Sequence, residues 1–262
     1  MSICVTTGFR NIGRGDWKLF YRSKKKYFEG FTKLVRHCPY PLVAYLEETE
    51  RQMVSSATPF LKILPLEDVD ALTYSHTEKD WEVMNSPTYK ILMNGCHHKG
   101  EHPERCQKGY NMITSSKTNM LVHTKKVCPN FDFYAWQDFG AANLNDGIPQ
   151  KIHPDILDKD RITVKGMCFD PTTKLKIDPV GYARIGGAAY ICSAQFIVPS
   201  HLVEKLDTLM REQIDFNHSI GITDDDQSVM SVVINKNPDL FDWVKSCGKQ
   251  DWFTLYDRLI ER

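Results

Sequence analysis

The opening 46 residues constrain the fold most. Ile3-Cys-Val-Thr-Thr7 is a short β-branched run that stops at Gly8. From Trp17 to Arg36 the apolar residues change to helical spacing, with Phe20, Tyr27, Phe31, Leu34 and Val35 on one face and Lys24-Lys-Lys26 on the other. Pro39 and Pro41 break that pattern, and Pro41-Leu-Val-Ala-Tyr-Leu46 reads as a second strand. Strand, helix, strand in this order starts a parallel βαβ unit.

The alternation continues along the chain. Phe60–Leu64, Phe131–Trp136 and Arg161–Lys165 are further strand candidates. Helical patterning falls near 47–56, 67–72 and 80–93, and then over Tyr110–Val127, with Lys117 a polar residue near its middle. Ala188–Cys192 is small and apolar, Pro199 opens a helix running to about Asp215, and Gln227–Asn235 forms another. The reading is an α/β fold: a mostly parallel, mixed sheet covered by helices on both faces. Such sheets bind ligands at the carboxyl ends of their strands. Asp138 and the loop after Thr7 both follow strands, so they are expected to meet in one cleft.

A chain of 262 residues fits one large α/β domain, or a domain with a small extension. Lys+Arg and Asp+Glu both total 33, which argues against a broadly basic nucleic-acid surface, so any anion site must be local. There is no signal-peptide pattern and no apolar run near the roughly 20 residues that span a membrane, so a cytoplasmic location is expected. The eight cysteines are scattered without a CxxC and read as free thiols. Cys96-His-His-Lys-Gly-Glu-His102-Pro-Glu-Arg-Cys106 holds two Cys and three His, but its spacing matches no zinc-finger pattern, and an exposed loop is expected.

Four segments carry candidate chemistry. In Trp136-Gln-Asp138-Phe-Gly140, a carboxylate at a strand end could help hold Mg²⁺ or Mn²⁺, with phosphates and water completing the shell, although spacing alone favours an Asp that caps a turn. Gly8-Phe-Arg10-Asn-Ile-Gly-Arg14-Gly-Asp16 is a glycine loop before a helix, with Asp16 as a possible N-cap. It is neither GxGxxG nor a P-loop, yet its arginines could pair with phosphate or simply face solvent. Thr223-Asp-Asp-Asp226 places three acids at a helix start, where two suffice for capping and Asp225 or Asp226 is left for proton transfer. Gly186-Gly187 suggests close backbone approach to a ligand, or a turn.

Taken together, the residues Val5–Trp17 with Arg22, Tyr27 and Phe31, then Tyr110 with Lys117, Phe133–Gly140, Gly186-Gly187, Asp225–Val229 and Pro238 resemble the HtrL/YibB family. That family is associated with bacterial lipopolysaccharide gene clusters and is similar to GT-A nucleotide-diphospho-sugar transferases. The resemblance spans roughly residues 3 to 255. It implies a single GT-A-like domain, with 1–140 a nucleotide-sugar-binding half and 141–262 an acceptor-side half. It implies metal-assisted transfer from a UDP-sugar or related donor to a glycan hydroxyl. Trp136-Gln-Asp138 takes the place of an Asp-x-Asp metal motif with its first carboxylate replaced. Thr6, Thr7, Arg10, Arg14, Lys117, Trp136, Gly186 and Gly187 would lie near the nucleotide or diphosphate, and Asp225 and Asp226 at the acceptor side. The alternatives are a non-catalytic nucleotide- or sugar-binding protein on the same fold, or a nucleotidyltransferase, whose glycine-rich lysine signature the Arg10–Arg14 loop fits only loosely.

Overall fold

Strand residues alternate between two apolar layers, and that alternation sets the architecture. The computed structural model describes residues 2–54, 60–94, 102–143, 147–167, 191–245 and 253–262. Within them, β1 (Ile3–Phe9), β2 (Leu42–Leu46), β3 (Leu61–Pro65), β4 (Phe133–Gln137), β5 (Ile162–Gly166), β6 (Ile191–Pro199) and β7 (Phe241–Lys245) form one seven-stranded sheet. The order is β3-β2-β1-β4-β6-β5-β7. β6 is antiparallel to β4 and β5, and every other neighbouring pair is parallel. The helices are α1 (Lys24–His37), α2 (Glu48–Arg51), α3 (Glu67–Asn85), α4 (Pro87–Asn94), α5 (Pro103–Cys106), α6 (Tyr110–Ser115), α7 (Lys117–Val127), α8 (Val203–Ser219), α9 (Asp226–Lys236) and α10 (Leu255–Ile260). Among the described residues no helix is long and apolar enough to cross a membrane.

Cys4, Val43, Tyr45, Tyr134 and Trp136 point to one face, where they pack with Met120 and Leu121 of α7, Leu206 and Met210 of α8 and Val229 and Val233 of α9. Val5, Leu42, Ala44, Phe133 and Ala135 point to the other, under Phe31 and Leu34 of α1 and Leu255 and Leu259 of α10. The result is the expected mixed, mostly parallel α/β sheet with both faces covered. Phe31 also stacks on Phe139, with ring centroids 4.4 Å apart. Full burial of such a side chain contributes about 1.5–3 kcal/mol, so this face anchors α1 firmly.

The chain leaves β1 over the α1 face to reach β2, and it enters β4 from the α7 face. Strand order therefore reverses between β1 and β4, which is the switch point where open α/β sheets form a crevice.

Several local expectations shift. The helix expected from Trp17 starts at Lys24, capped by Ser23, whose hydroxyl accepts from Lys26 N; Asp16 instead closes a 3₁₀ turn over Arg14–Asp16. Gly13 enters that turn at φ 72°, a left-handed conformation that favours glycine. The helix expected over Tyr110–Val127 breaks at Ser116. Lys117 thus opens a helix rather than lying inside one.

Candidate functional site

A cleft of about 330 Å³ lies at the carboxyl ends of β1 and β4. Five basic side chains (Arg10, Arg14, Arg22, Lys24 and Lys117) and two acidic ones (Asp16 and Asp138) line it. A neutral protein has concentrated positive charge at one place.

Lys117 is the centre of the cleft floor. As the first residue of α7 it sits where the helix dipole disfavours a cation, so its charge needs local compensation. Its ammonium donates to the Ser193 carbonyl at 3.2 Å and forms ion pairs with Asp138 Oδ1 at 2.9 Å and Asp226 Oδ2 at 2.8 Å. The nitrogen also lies 5.7 Å from the centre of the Trp136 ring. Burial would lower the Lys117 pKa, but Asp138 and Asp226 outweigh it and hold the ammonium above its ordinary value. Lys117 is therefore a fixed positive charge.

The two carboxylates differ in access. The Asp138 side chain is 37% exposed and faces the cleft, whereas that of Asp226 is 4% exposed and lies beneath Lys117. Trp136 Nε1–H donates to Asp138 Oδ1 at 2.8 Å, fixing the carboxylate from the strand side. Burial raises the Asp226 carboxyl above its ordinary value, against the pull of Lys117. Asp225 plays a different part. Its Oδ1 accepts from Gln227 N at 3.1 Å and Ser228 N at 3.2 Å, capping α9.

The glycine loop folds over the cleft. Arg10 is tied to Glu47, just past β2, with Nε 3.1 Å from Oε1. Arg14 is held by neutral groups: Nε donates to the Phe20 carbonyl at 2.8 Å and an Nη donates to Tyr27 Oη at 2.9 Å. Arg22 lies over the Tyr27 ring at 5.2 Å. Two guanidinium groups thus converge on one tyrosine. Tyr27 in turn packs so closely on Gly140 that a Cβ there would fall 2.7 Å from its ring.

Of the residues singled out from the sequence, Asp138, Lys117, Trp136 and Asp226 form one cluster, and Arg10 and Arg14 share its cleft. Thr6 and Thr7 are buried in β1 behind it, Thr6 donating to Thr124 Oγ1 at 3.1 Å. Gly186 and Gly187 lie outside the described residues, as do Cys96, His97 and His98. The sequence alone does not point to roles for Arg22, Tyr27 and Glu47. Arg22 and Tyr27 stand within the family-like segment, whereas Glu47 carries no local signal.

The donor set does not match the expected divalent metal. Among the described residues no three His, Cys, Asp or Glu side chains cluster in a way that could hold one. Asp138 Oδ1 already receives the Lys117 ammonium and the Trp136 N–H, and Asp226 is paired with the same ammonium. A metal between these carboxylates would have to displace a buried cation that is ion-paired with both. Among the described residues, Lys117 takes the place that a divalent metal would hold between Asp138 and Asp226.

An open, mixed α/β sheet with a cleft rich in basic side chains at its switch point, floored by a lysine–carboxylate cluster, defines the class of this protein. The chain belongs to the HtrL_YibB family: residues 1–261 match the family model described as "Bacterial protein of unknown function (HtrL_YibB)". It is 23% identical to Protein HtrL of Escherichia coli (strain K12), over 97% of this chain and 91% of that protein. Among solved structures, the apo form of mouse xyloside xylosyltransferase 1 aligns at 10% identity and a TM-score of 0.42, over 97% of this chain and 92% of that one.

Proposed function

We propose that this chain is a glycosyltransferase, moving a sugar from a nucleoside-diphosphate donor to a hydroxyl of a glycan acceptor, with UDP-sugars as the first donor class to test. The observation that carries this reading is Asp138: a carboxylate at the end of β4, oriented by Trp136 and Lys117, facing a basic cleft. In the reaction the acceptor oxygen bonds to the anomeric carbon. The bond from that carbon to the phosphate oxygen breaks, and its electron pair leaves with the nucleoside diphosphate. The acceptor hydroxyl loses its proton to Asp138, the carboxylate within reach of the cleft. Negative charge grows on the departing diphosphate, where the basic lining is placed to stabilise it. Residues 1–140 hold the donor in this reading and residues 141–262 contribute the acceptor side. Asp226 acts from behind, keeping Lys117 in place, and Asp225 acts through the fold as a helix cap.

The test is release of nucleoside diphosphate from a panel of nucleotide sugars, with and without oligosaccharide acceptors. Release from one donor that disappears in Asp138→Asn supports the proposal. Binding of donor without release by any acceptor would instead favour a non-catalytic nucleotide-sugar-binding protein on this fold.

A further inference from the structure

We infer that the cleft takes a nucleoside diphosphate without a divalent metal: Lys117 holds the cation position between Asp138 and Asp226, while Arg14 and Arg22 receive the diphosphate. The inference rests on the nucleoside-diphosphate reading above and deepens it.

A hard divalent cation in such a site would do two things. It would neutralise the carboxylates, and it would bridge to phosphate oxygens. Lys117 already supplies a positive charge at that position. The Lys117 ammonium lies 2.9 Å from Asp138 and 2.8 Å from Asp226, and it donates to the Ser193 carbonyl at 3.2 Å. With its charge committed to the two carboxylates at the cleft floor, Lys117 leaves the bridging of phosphate to other cations.

The cleft supplies them unevenly. Arg10 is paired with Glu47, and Lys24 with Glu50 at 2.6 Å, so much of their charge is spoken for. Among the described residues Arg14 and Arg22 form no ion pair. Arg14 is bonded to a carbonyl and a phenol, and Arg22 is stacked on the ring of that same phenol. Neutral partners fix where these guanidiniums lie and leave both outside any ion pair among the described residues. Tyr27 therefore gathers two guanidinium groups around one side chain, and guanidiniums suit the oxygens of linked phosphates. The Arg22 guanidinium also approaches Gly140, where an added Cβ would lie 3.7 Å from its Nη1; Gly140 is two residues beyond Asp138. The arginine pair and the carboxylate thus border the same space.

The experiment is calorimetric titration of UDP into the full-length protein, in EDTA and again with Mn²⁺. The expected result is binding in EDTA, changed less than about twofold by Mn²⁺ and weakened about tenfold or more by Arg14→Gln or Arg22→Gln. Binding that requires Mn²⁺ overturns the inference and leaves the glycosyltransferase reading standing. Unweakened binding by both arginine variants also overturns it. If neither UDP nor any nucleotide sugar binds under either condition, the nucleoside-diphosphate reading fails and the inference fails with it.

A second measurement reads the place-holding role directly. Lys117→Met exposes two unpaired carboxylates, so Mn²⁺ should raise the melting temperature of the variant and leave that of the parent unchanged. Equal stabilisation of parent and variant, or none in a folded variant, overturns the role of Lys117 as a place-holder. Should the variant fail to fold, the titration of the parent protein in EDTA still decides.

Discussion

Trp136 donates its indole N–H to Asp138 Oδ1 at 2.8 Å, so an aromatic residue two positions earlier in the chain orients the carboxylate that faces the cleft. The two residues lie on opposite sides of Gln137, where β4 ends. Trp136→Phe keeps a ring beside Lys117 and removes the donor. A hydrogen bond to a charged group is worth about 1.5–3 kcal/mol, and the exposure of Asp138 places this one at the lower end. Donor turnover should fall about tenfold while the melting temperature moves little. Turnover equal to that of the parent would remove Trp136 from the site.

The acids should separate by phenotype. Asp138→Asn removes the cleft-facing carboxylate, and we expect turnover to drop about 10²–10⁴-fold in a folded protein. Asp226→Ala takes one partner from a buried ion pair, a change that costs about 3–5 kcal/mol; retention of Asp138 and the Ser193 carbonyl by Lys117 favours the lower figure. Asp225→Ala loses the α9 cap and should cost about 0.5–2 kcal/mol. Thermal melting ranks the last two, and a product-release assay isolates the first. If Asp138→Asn is the least stable of the three, Asp138 serves the fold rather than the reaction, and the division of roles among the acids is wrong.

Gly140→Ala tests the close approach of Tyr27. The new methyl group would sit 2.7 Å from the Tyr27 ring, which also holds Arg14 and Arg22. Overpacking of this kind typically costs about 1–3 kcal/mol. Because the ring must shift, binding of UDP should weaken together with stability. A stable variant with unchanged UDP affinity would show that Tyr27 does not position the arginines.

The sheet was legible where burial followed a simple period, and the site was legible only in part. β1, β2 and β4 are short, mostly apolar runs, and each lies within about two residues of its expected span, β1 running through Gly8 to Phe9. β6 was missed because Ser193 and Gln195 interrupt its apolar pattern. Both are buried, with Gln195 donating to Gln137 Oε1 at 2.8 Å, a partner that only the sheet register supplies. β7 hid in an aromatic stretch with no clear alternation. At the site, Asp138 and Lys117 could be named from the sequence, but their contact could not, since 21 positions separate them and the break at Ser116 turns Lys117 inward. The same holds for Arg10, whose pairing with Glu47 depends on β1 and β2 ending side by side.

The acids around the start of α9 give the protein a pH-dependent stability. Burial, reinforced by the nearby Glu104, raises the Asp224 carboxyl from 3.8 to about 6. The folded protein therefore keeps a proton that the unfolded chain releases at lower pH. Stability tied to this group is fully present below the unfolded value of 3.8 and is lost as pH rises through about 6. Glu104 and Asp225 are raised in the same direction by burial, so they add to the slope. Asp224→Asn removes the ionisation while its side-chain oxygen can still accept from Asp225 N, as Asp224 Oδ1 does at 2.9 Å. The variant should melt higher than the parent at pH 7 to 8, by about 2–4 °C for each kcal/mol recovered, and the two should converge near pH 4. Melting curves across that range decide the point. A parent protein whose stability rises steadily from pH 4 to 7, with Asp224→Asn offering no gain at neutral pH, would mean that Asp224 is ionised at little cost in the folded state.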